Sequence, residues 1–267
     1  MKYRKIAALV LAMGMAVSMM MGCGASKPAD SEGDTSASGS QSFTTVNEGV
    51  LTMATNAQFP PYEYYDGQEI VGIDAEIAKA VADKLGLELK IEDMEFNSII
   101  GSVQSNKVDM GLAGMTVTDE RKQSVNFTEP YATGIQSIIV KEGSDIKSVD
   151  DLEGKKIGVQ LSTTGDIYAV EDYGAENVDE YNKGADAVQA LITDKVDCVI
   201  IDNQPAKAFV ADNKGLVILD TEYTTEDYAA CLNKENEALL KAVDGAIKEL
   251  KEDGTIQSIL DKYISAE

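Results

Sequence analysis

The chain has 267 residues, of which 44% are hydrophobic and 26% charged, enough for one large globular unit or two modest lobes. Its 23 Lys and Arg stand against 46 Asp and Glu, a formal charge of -23, and nucleic acid is excluded as a partner because an acidic body repels phosphates. The sequence has no histidine, which removes the commonest general base, the Ser-His and Cys-His nucleophile pairs and most zinc-ligand sets.

The first 22 residues have the pattern of an export signal. Lys2, Arg4 and Lys5 precede an uncharged apolar run from Ile6 to Met21, and small residues follow. A transmembrane anchor is the alternative, but the run is short for a span of about 20 residues. We therefore predict a signal peptide over 1–22 and a protein that works outside the cytoplasm.

The end of this segment, MMGC, resembles a bacterial lipoprotein signal, in which the cysteine after the cleavage point is lipidated. Met20 departs from that pattern, which prefers leucine at this position. The resemblance implies a lipid anchor through Cys23. Residues 23–45, rich in Gly, Ser, Ala and acidic residues, predict a disordered tether because they cannot bury enough apolar surface to fold.

From about Val46 short apolar strands alternate with amphipathic helices. We predict a strand at GVLTMAT, a Pro-rich loop, a helix at DAEIAKAVADKLG, a strand at LELKI, a helix at SIIGSVQ and a strand at VDMGLA. Asp74 is the predicted cap of the first helix and Gly86 its end. This alternation is typical of an α/β fold with a largely parallel sheet.

The second half repeats the scheme, with strands at KKIGVQ and DCVII and helices at TTGDIYAVEDYG and DAVQALITD. VQSNKVDMGLAG and LITDKVDCVIID both run from a helix end through Lys-Val-Asp into a buried strand, which indicates two lobes built on one plan. The tail contains two amphipathic helices broken at Gly254.

An arginine at the start of a predicted helix is the first candidate site residue. In AGMTVTDER, Thr118 stands at the expected N-cap, and Asp119, Glu120 and Arg121 fill the first turn. A cation there opposes the helix dipole, which is sensible if an anion lies between Arg121 and free backbone N–H groups. A solvated surface arginine is the alternative.

Three further residues fall where α/β proteins place ligands. Phe59 follows a predicted strand and Phe96 precedes a predicted helix, and either of them alternatively packs as a hydrophobic staple. Asp202 ends DCVII and either caps the next helix or accepts a ligand ammonium group. Nucleotide fingerprints and a calcium-loop pattern are missing from the sequence, so we expect no cofactor and no metal.

Cys198 and Cys231 lie in apolar predicted strands. Buried free thiols are the first interpretation, and a disulfide is the alternative for an exported protein.

The residues from Val46 to Ile264 closely resemble the amino-acid-binding proteins of bacterial ABC importers, the family 3 extracellular solute-binding proteins. The resemblance rests on several ordered motifs, among them ATNAQFPPYEYYDG, LAGMTVTDERKQSVNFTEPY and DLEGKKIGVQLSTTGD. It implies a type II periplasmic-binding-protein-like α/β fold of two lobes. The first lobe takes residues 46–130 plus 229–267 and the second 136–223, with hinges at about 131–135 and 224–228.

The resemblance also implies the ligand contacts. Arg121 holds the ligand carboxylate with the hydroxyl of Thr116 and the N–H groups of Thr116 and Thr164, while Asp202, the carbonyl of Gly114 and Thr116 receive the ammonium group. Further residues surround the remaining ligand atoms: Phe59 and Phe96 enclose the side chain, Ala113 contributes backbone, and Gln160 and Asn56 lie toward the far end.

The ligand is less well determined. Asn56 stands where relatives that bind basic or amide side chains often carry an acid, which favours a neutral polar amino acid, although Glu63 or Glu95 would supply a carboxylate for a basic one such as arginine, lysine or histidine. The resemblance implies a monomer that delivers a free amino acid to an ABC transporter permease, anchored at the extracellular face of the cytoplasmic membrane, or on the periplasmic side if there is an outer membrane. A cyclohexadienyl-dehydratase-like enzyme is the catalytic alternative, and a sensory module of the same fold is another.

Overall fold

The computed structural model describes residues 43–220 and 223–264. The predicted signal peptide, the lipidation of Cys23 and the tether up to residue 42 lie outside the described residues. Within the described ranges, every helix is too short or too polar to cross a membrane.

Five strands form the first sheet, which is mixed. The strands are β1 (Val50–Thr55), β5 (Glu88–Asp93), β6 (Met110–Gly111), β7 (Val125–Phe127) and β14 (Cys231–Asn233), numbered in chain order, and they lie side by side as β5-β1-β6-β14-β7. Strand β1 pairs in parallel with β5 and β6, whereas β14 pairs antiparallel with β6 and β7. The chain therefore returns to this sheet near its end.

Six strands form the second sheet, which is also mixed. They are β8 (Ala132–Lys141), β9 (Ile157–Gln160), β10 (Val178–Tyr181), β11 (Cys198–Asp202), β12 (Leu216–Ile218) and β13 (Thr224–Tyr228), in the order β10-β9-β11-β8-β12 with β13 on β8. β9, β10 and β11 pair in parallel, and β8 is antiparallel to β11, β12 and β13. The two sheets make the predicted two-lobed α/β fold.

A small antiparallel sheet surrounds the predicted Pro-rich loop: Pro60 and Pro61 lie in the turn between its first two strands, but the strands themselves were not predicted. Its strands are β2 (Gln58–Phe59), β3 (Glu63–Asp66) and β4 (Glu69–Val71). The sequence signal was the Asp-Gly pair that ends β3 and opens the turn to β4, since Gly67 takes a φ of 64°, which the turn of a tight hairpin requires. This sheet carries two residues of the site, Phe59 and Glu63, on a hydrogen-bonded support rather than on a loop.

The described residues contain eight α-helices and two short 3₁₀ helices. The α-helices are α1 (Ile73–Leu85), α2 (Phe96–Gln104), α3 (Arg121–Ser124), α4 (Thr164–Tyr173), α5 (Gly184–Ile192), α6 (Asn203–Asp212), α7 (Glu237–Glu252) and α8 (Thr255–Tyr263), and the 3₁₀ helices are Val149–Leu152 and Ala175–Asn177. Gly86 ends α1 in the left-handed conformation, as predicted.

The predicted cap of α1 was wrong. The helix begins at Ile73 after Gly72, with no side-chain cap. The carboxylate of Asp74 turns inward instead and accepts a hydrogen bond from the N–H of Gly114 at 2.8 Å. A residue that we assigned to helix capping therefore connects α1 to the chain that follows β6.

Each sheet has its own apolar core. On the first sheet, Ile77 and Val81 of α1 pack with Val243 of α7 and Ile256 of α8, all of them buried. On the second, Ile138, Val159 and Ile200 are buried together with their neighbours. Each such side chain contributes roughly 1.5–3 kcal/mol on burial, so each lobe holds its end of the site on a packed sheet.

The two Lys-Val-Asp segments have the same role in the two lobes. Asp109 accepts a hydrogen bond from the N–H of Thr52 at 2.7 Å, and Asp197 accepts one from the N–H of Lys156 at 2.8 Å. Each carboxylate thereby ties the loop before its own strand to a neighbouring strand of the same sheet. The repeated Lys-Val-Asp sequence therefore makes the same kind of hydrogen-bonded connection in each lobe.

Candidate functional site

A cavity lies where carboxyl ends of strands from both sheets face one another, and clefts in such positions are the usual small-molecule sites. All ten residues that the sequence analysis assigned to the ligand line it: Asn56, Phe59, Phe96, Ala113, Gly114, Thr116, Arg121, Gln160, Thr164 and Asp202. They come from the loops after β1 and β6, the last residues of β9 and β11, strand β2 and the starts of helices. Most of these are the usual ligand positions in α/β sheets.

Arg121 is buried, which argues against the surface alternative. Its Nη1 donates to the carbonyl oxygen of Thr116 at 2.8 Å and its Nη2 to that of Ser162 at 3.0 Å, and the Phe96 ring lies 5.4 Å from its Cζ. No carboxylate of the described chain lies within ion-pairing distance of the guanidinium. Burial lowers its pKa, partly offset by the charge of Glu226. A buried cation without an anion partner is suited to an anionic ligand group.

The helix that carries Arg121 begins later than predicted. Helix α3 begins at Arg121, not at Asp119, and has four residues. Thr118 nevertheless accepts a hydrogen bond from the N–H of Arg121 at 3.1 Å, as the predicted cap requires. This bond fixes the backbone from which the guanidinium enters the cavity.

Asp202 lies on the other lobe and is buried at the end of β11. It caps α6 by accepting from the N–H of Gln204 at 3.1 Å, and the hydroxyl of Tyr228 donates to its second oxygen. Burial raises the pKa of Asp202 to about 7, although the bonds from Tyr228 and Gln204 favour the charged form. The predicted capping role and exposure to the cavity are thus both present. A cation in the cavity would stabilise the ionised carboxylate.

Gly114 lies on the floor of the cavity in a conformation that favours glycine. Its φ is 52°, and a Cβ here would come within 2.8 Å of the Phe59 ring. Its N–H is held by Asp74, which also accepts a hydrogen bond from the hydroxyl of Tyr131 at 2.8 Å. The peptide of Gly114 is therefore fixed from behind.

Hydrogen bonds cross the cavity between the lobes. Gln160 Nε2 donates to Asn56 Oδ1 at 3.1 Å, and the hydroxyl oxygens of Thr116 and Thr164 lie 3.3 Å apart. The bond from Arg121 to the carbonyl of Ser162 is a third link. Since each link joins one sheet to the other, the structure represents a closed arrangement of the two lobes.

Both predicted aromatic residues line the cavity, but their local structure differs from the prediction. Phe59 lies in β2 and stacks on Tyr62 with ring centroids 5.7 Å apart, and Phe96 is the first residue of α2 rather than the residue before a helix. A ligand side chain enclosed by these two rings stays a prediction.

Five further residues line the cavity: Glu63, Gln136, Thr163, Ile201 and Tyr228. Glu63 was considered only as a source of a carboxylate, and it is fully buried. Glu95, the other carboxylate considered, does not line the cavity. Gln136 could have been found as the polar residue inside the apolar strand GIQSIIV, whereas nothing in the sequence indicated Tyr228.

Two other expectations concern cysteines and metals. Cys198 and Cys231 are free and buried, as the first interpretation held. The part of the chain that the structure describes has no group of three or more Cys, Asp or Glu residues arranged for a metal ion.

Comparison with known proteins gives consistent matches. Residues 51–266 match the family described as bacterial extracellular solute-binding proteins, family 3. The arginine-binding extracellular protein ArtP of Bacillus subtilis is 37% identical over 223 residues, which cover 81% of this chain and 87% of ArtP.

Solved structures agree with these matches. An ancestral arginine-binding protein bound to glutamine is 38% identical with a TM-score of 0.78, covering 82% of this chain and 100% of its own. The substrate-binding protein of an amino acid ABC transporter is 38% identical with a TM-score of 0.77, again covering 82% of this chain and 100% of its own.

Proposed function

Since the chain belongs to the bacterial extracellular solute-binding proteins of family 3, we propose that it binds a free amino acid between its lobes and delivers it to the permease of an ABC importer. The observation that carries this proposal is the placement of Arg121 and Asp202, two buried and opposite charges that line one cavity from different lobes. An α-amino acid carries the complementary pair of charges on adjacent groups. Relatives with arginine-binding and amino acid ABC transporter titles support the same conclusion.

The ligand carboxylate pairs with Arg121, helped by the hydroxyl of Thr116 and the N–H groups of Thr116 and Thr164. The ammonium group pairs with Asp202 and with the carbonyl of Gly114. Each charge-assisted hydrogen bond contributes about 1.5–3 kcal/mol, so a few of them supply much of the roughly 8 kcal/mol that a micromolar affinity requires. Because the two charges belong to different lobes, the ligand stabilises the closed arrangement.

The contacts of Asn56 and Glu63 bear on whether the ligand side chain is neutral or basic. The Asn56 amide, which favoured a neutral ligand, is already engaged: its Nδ2 donates to the carbonyl of Met94 at 2.9 Å and its Oδ1 accepts from Gln160. Glu63 lines the cavity, and neither of its carboxylate oxygens accepts a hydrogen bond from an N–H or hydroxyl of the described residues. A basic amino acid, arginine first, therefore fits better than a neutral one.

Phe59 and Phe96 enclose the aliphatic part of that side chain, Ala113 contributes backbone beside it, and Gln160 lies toward its far end. This arrangement puts apolar surface along the side chain and polar groups at its tip, as binding pockets generally do. The neutral polar alternative keeps one point of support, since a related arginine-binding protein has been solved with glutamine.

Calorimetry on protein freed of carried-over ligand by unfolding and refolding tests the function. Titration with each of the twenty amino acids should give saturable 1:1 binding for at least one, with arginine tightest if the ligand class is right. Binding of glutamine but not of arginine would favour the neutral alternative. No binding to any amino acid would overturn the proposal, and turnover of prephenate or arogenate would favour the dehydratase alternative.

The remaining parts of the proposal follow from the transport role. The protein works outside the cytoplasm as a monomer, anchored through a lipid on Cys23 and tethered by the residues that follow. The first lobe takes 46–130 plus 229–267 and the second 136–223, and the segments 131–135 and 224–228 bend as the lobes close. Pairing of β8 with β13 supports a two-stranded hinge, because residues 132–136 of β8 pair with residues 224–228 of β13.

A further inference from the structure

Glu63 is a buried carboxyl group without a compensating cation or donor in its described surroundings. It lies at the start of β3 with none of its surface exposed, and both of its oxygens lack a hydrogen-bond donor among the described residues. The charged group that acts most strongly on it is the carboxyl group of Asp74 on α1. An isolated ionised carboxylate in such a place is costly, so the group is expected to keep its proton.

Asp74 has an oxygen that can accept a hydrogen bond from the protonated carboxyl group of Glu63. One oxygen, Oδ2, already accepts from the N–H of Gly114 and the hydroxyl of Tyr131, both at 2.8 Å. The other, Oδ1, is buried and has no donor among the described groups. A protonated Glu63 that donates to this oxygen satisfies both carboxyl groups and leaves the second Glu63 oxygen free to accept from a ligand.

The groups that face Glu63 all oppose its ionisation. Burial and the charge of Asp74 raise the pKa of Glu63 well above its ordinary value, with smaller contributions from more distant carboxylates. Burial also raises the pKa of Asp74, while the donors to Oδ2 favour its charged form. The titratable groups that interact with Glu63 are Asp74, Asp93, Asp202, Tyr62 and Tyr131, and none of them is a cation.

We propose that Glu63 and Asp74 share one proton in the ligand-free protein, and that a cationic ligand side chain displaces it. The O–H bond of Glu63 breaks, the proton passes to the buffer, and the resulting carboxylate accepts hydrogen bonds from the ligand's cationic group, whose own charge is unchanged. A neutral side chain leaves the shared proton in place. The inference rests on the proposed function and makes Glu63 the residue that distinguishes basic from neutral ligands.

Proton release measured by calorimetry tests the proposal without any mutation. Arginine and its neutral isostere citrulline are titrated at pH 8 in two buffers with different ionisation enthalpies. At this pH Asp202, with a pKa of about 7, is mostly ionised and contributes little. We expect about one proton more to be released per arginine than per citrulline, because only arginine displaces the shared proton. Equal release with both ligands would overturn the proposal.

The Glu63→Gln variant supplies a second comparison, which can still be made if citrulline binds too weakly to measure. Glutamine has the shape of protonated glutamic acid and donates to Asp74 in the same way, so the fold is kept. Its arginine affinity should fall by about tenfold or more, the loss of one charge-assisted contact, and the extra proton release should vanish. Glu69→Gln, an exposed change in strand β4 of the same small sheet, is the matched control and should behave like the wild type.

Failure of the shared proton and failure of arginine binding give different results. If arginine binds with wild-type proton release persisting in Glu63→Gln, the shared proton is wrong and the binding function stands. If arginine gives no binding heat at all, the basic-ligand proposal fails and the shared-proton proposal fails with it.

Discussion

Arg121 and Asp202 show how burial converts ordinary charged residues into ligand groups. The guanidinium is held by two carbonyl oxygens and an aromatic ring, and the carboxylate by a helix N-terminus and a tyrosine hydroxyl. These contacts orient each group without neutralising its charge. Most of the free-energy cost of burying these two groups therefore arises during folding. A zwitterionic ligand that pairs with them consequently binds more tightly.

Replacement of Arg121 by alanine should abolish amino acid binding, because the ligand carboxylate then enters a buried site without a cation. The free energy of unfolding of the ligand-free protein should change by no more than about 1–2 kcal/mol, since the two carbonyls left behind can reach water through the cavity. Calorimetry and urea unfolding measure the two effects. Lys122→Ala, which removes an exposed neighbouring cation, is the control, and binding that survives in Arg121→Ala would contradict the carboxylate role.

At the scale of elements, the packing around Asp202 depends on how closely the backbone of β8 approaches side chains from β11 and β13. Gly134 on β8 faces the Tyr228–Asp202 hydrogen bond, and a Cβ at this position would clash with the Tyr228 hydroxyl oxygen and lie 2.5 Å from Asp202 Oδ2. Strand β8 can pass this point only without a side chain. One glycine in a strand thus lets a tyrosine from β13 and a carboxylate from β11 meet.

Gly134→Ala should therefore destabilise the protein and weaken binding together. Overpacking at this position is expected to cost about 1–3 kcal/mol in the free energy of unfolding, and displacement of Asp202 removes the ammonium partner. Gly245→Ala, in α7 with open space around the added methyl group, should instead stabilise by about 0.5–1 kcal/mol and leave affinity unchanged. Urea unfolding and calorimetry on both variants test this; an unperturbed Gly134→Ala would show that the Tyr228–Asp202 contact is not needed.

Across the whole molecule, features formed by residues close together in the sequence could be predicted, whereas contacts between distant residues could not. Strands, helices and the Lys-Val-Asp echo follow from local periodicity, and the ten cavity residues follow from motifs that resemble a known family. The contact between Glu63 and Asp74, and that between Asp202 and Tyr228, join separate elements, so they depend on how the elements pack. The β2–β4 sheet was missed for a different reason. Its Asp-Gly turn was present in the sequence, but the two neighbouring prolines led us to predict only a loop.

Closure of the lobes is the property of the whole molecule that transport depends on, and Gln160 tests it. Its Nε2 donates to Asn56 on the first lobe and to the carbonyl of Asn182 on its own lobe. Because the first bond exists only when the lobes are closed, Gln160→Ala should bind ligand about threefold to tenfold more weakly, the loss of one hydrogen bond, mostly through faster dissociation.

Small-angle scattering separates the loss of closure from the loss of a ligand contact. In the wild type, saturating ligand should reduce the radius of gyration, and in saturated Gln160→Ala the reduction should be smaller while the ligand-free forms agree. Gln189→Ala, an exposed change on α5 of the same lobe, should match the wild type in both states. If saturated Gln160→Ala closes as fully as the wild type, Gln160 contributes only to ligand contact, and the remaining links from Arg121 and Thr116 suffice to hold the lobes together.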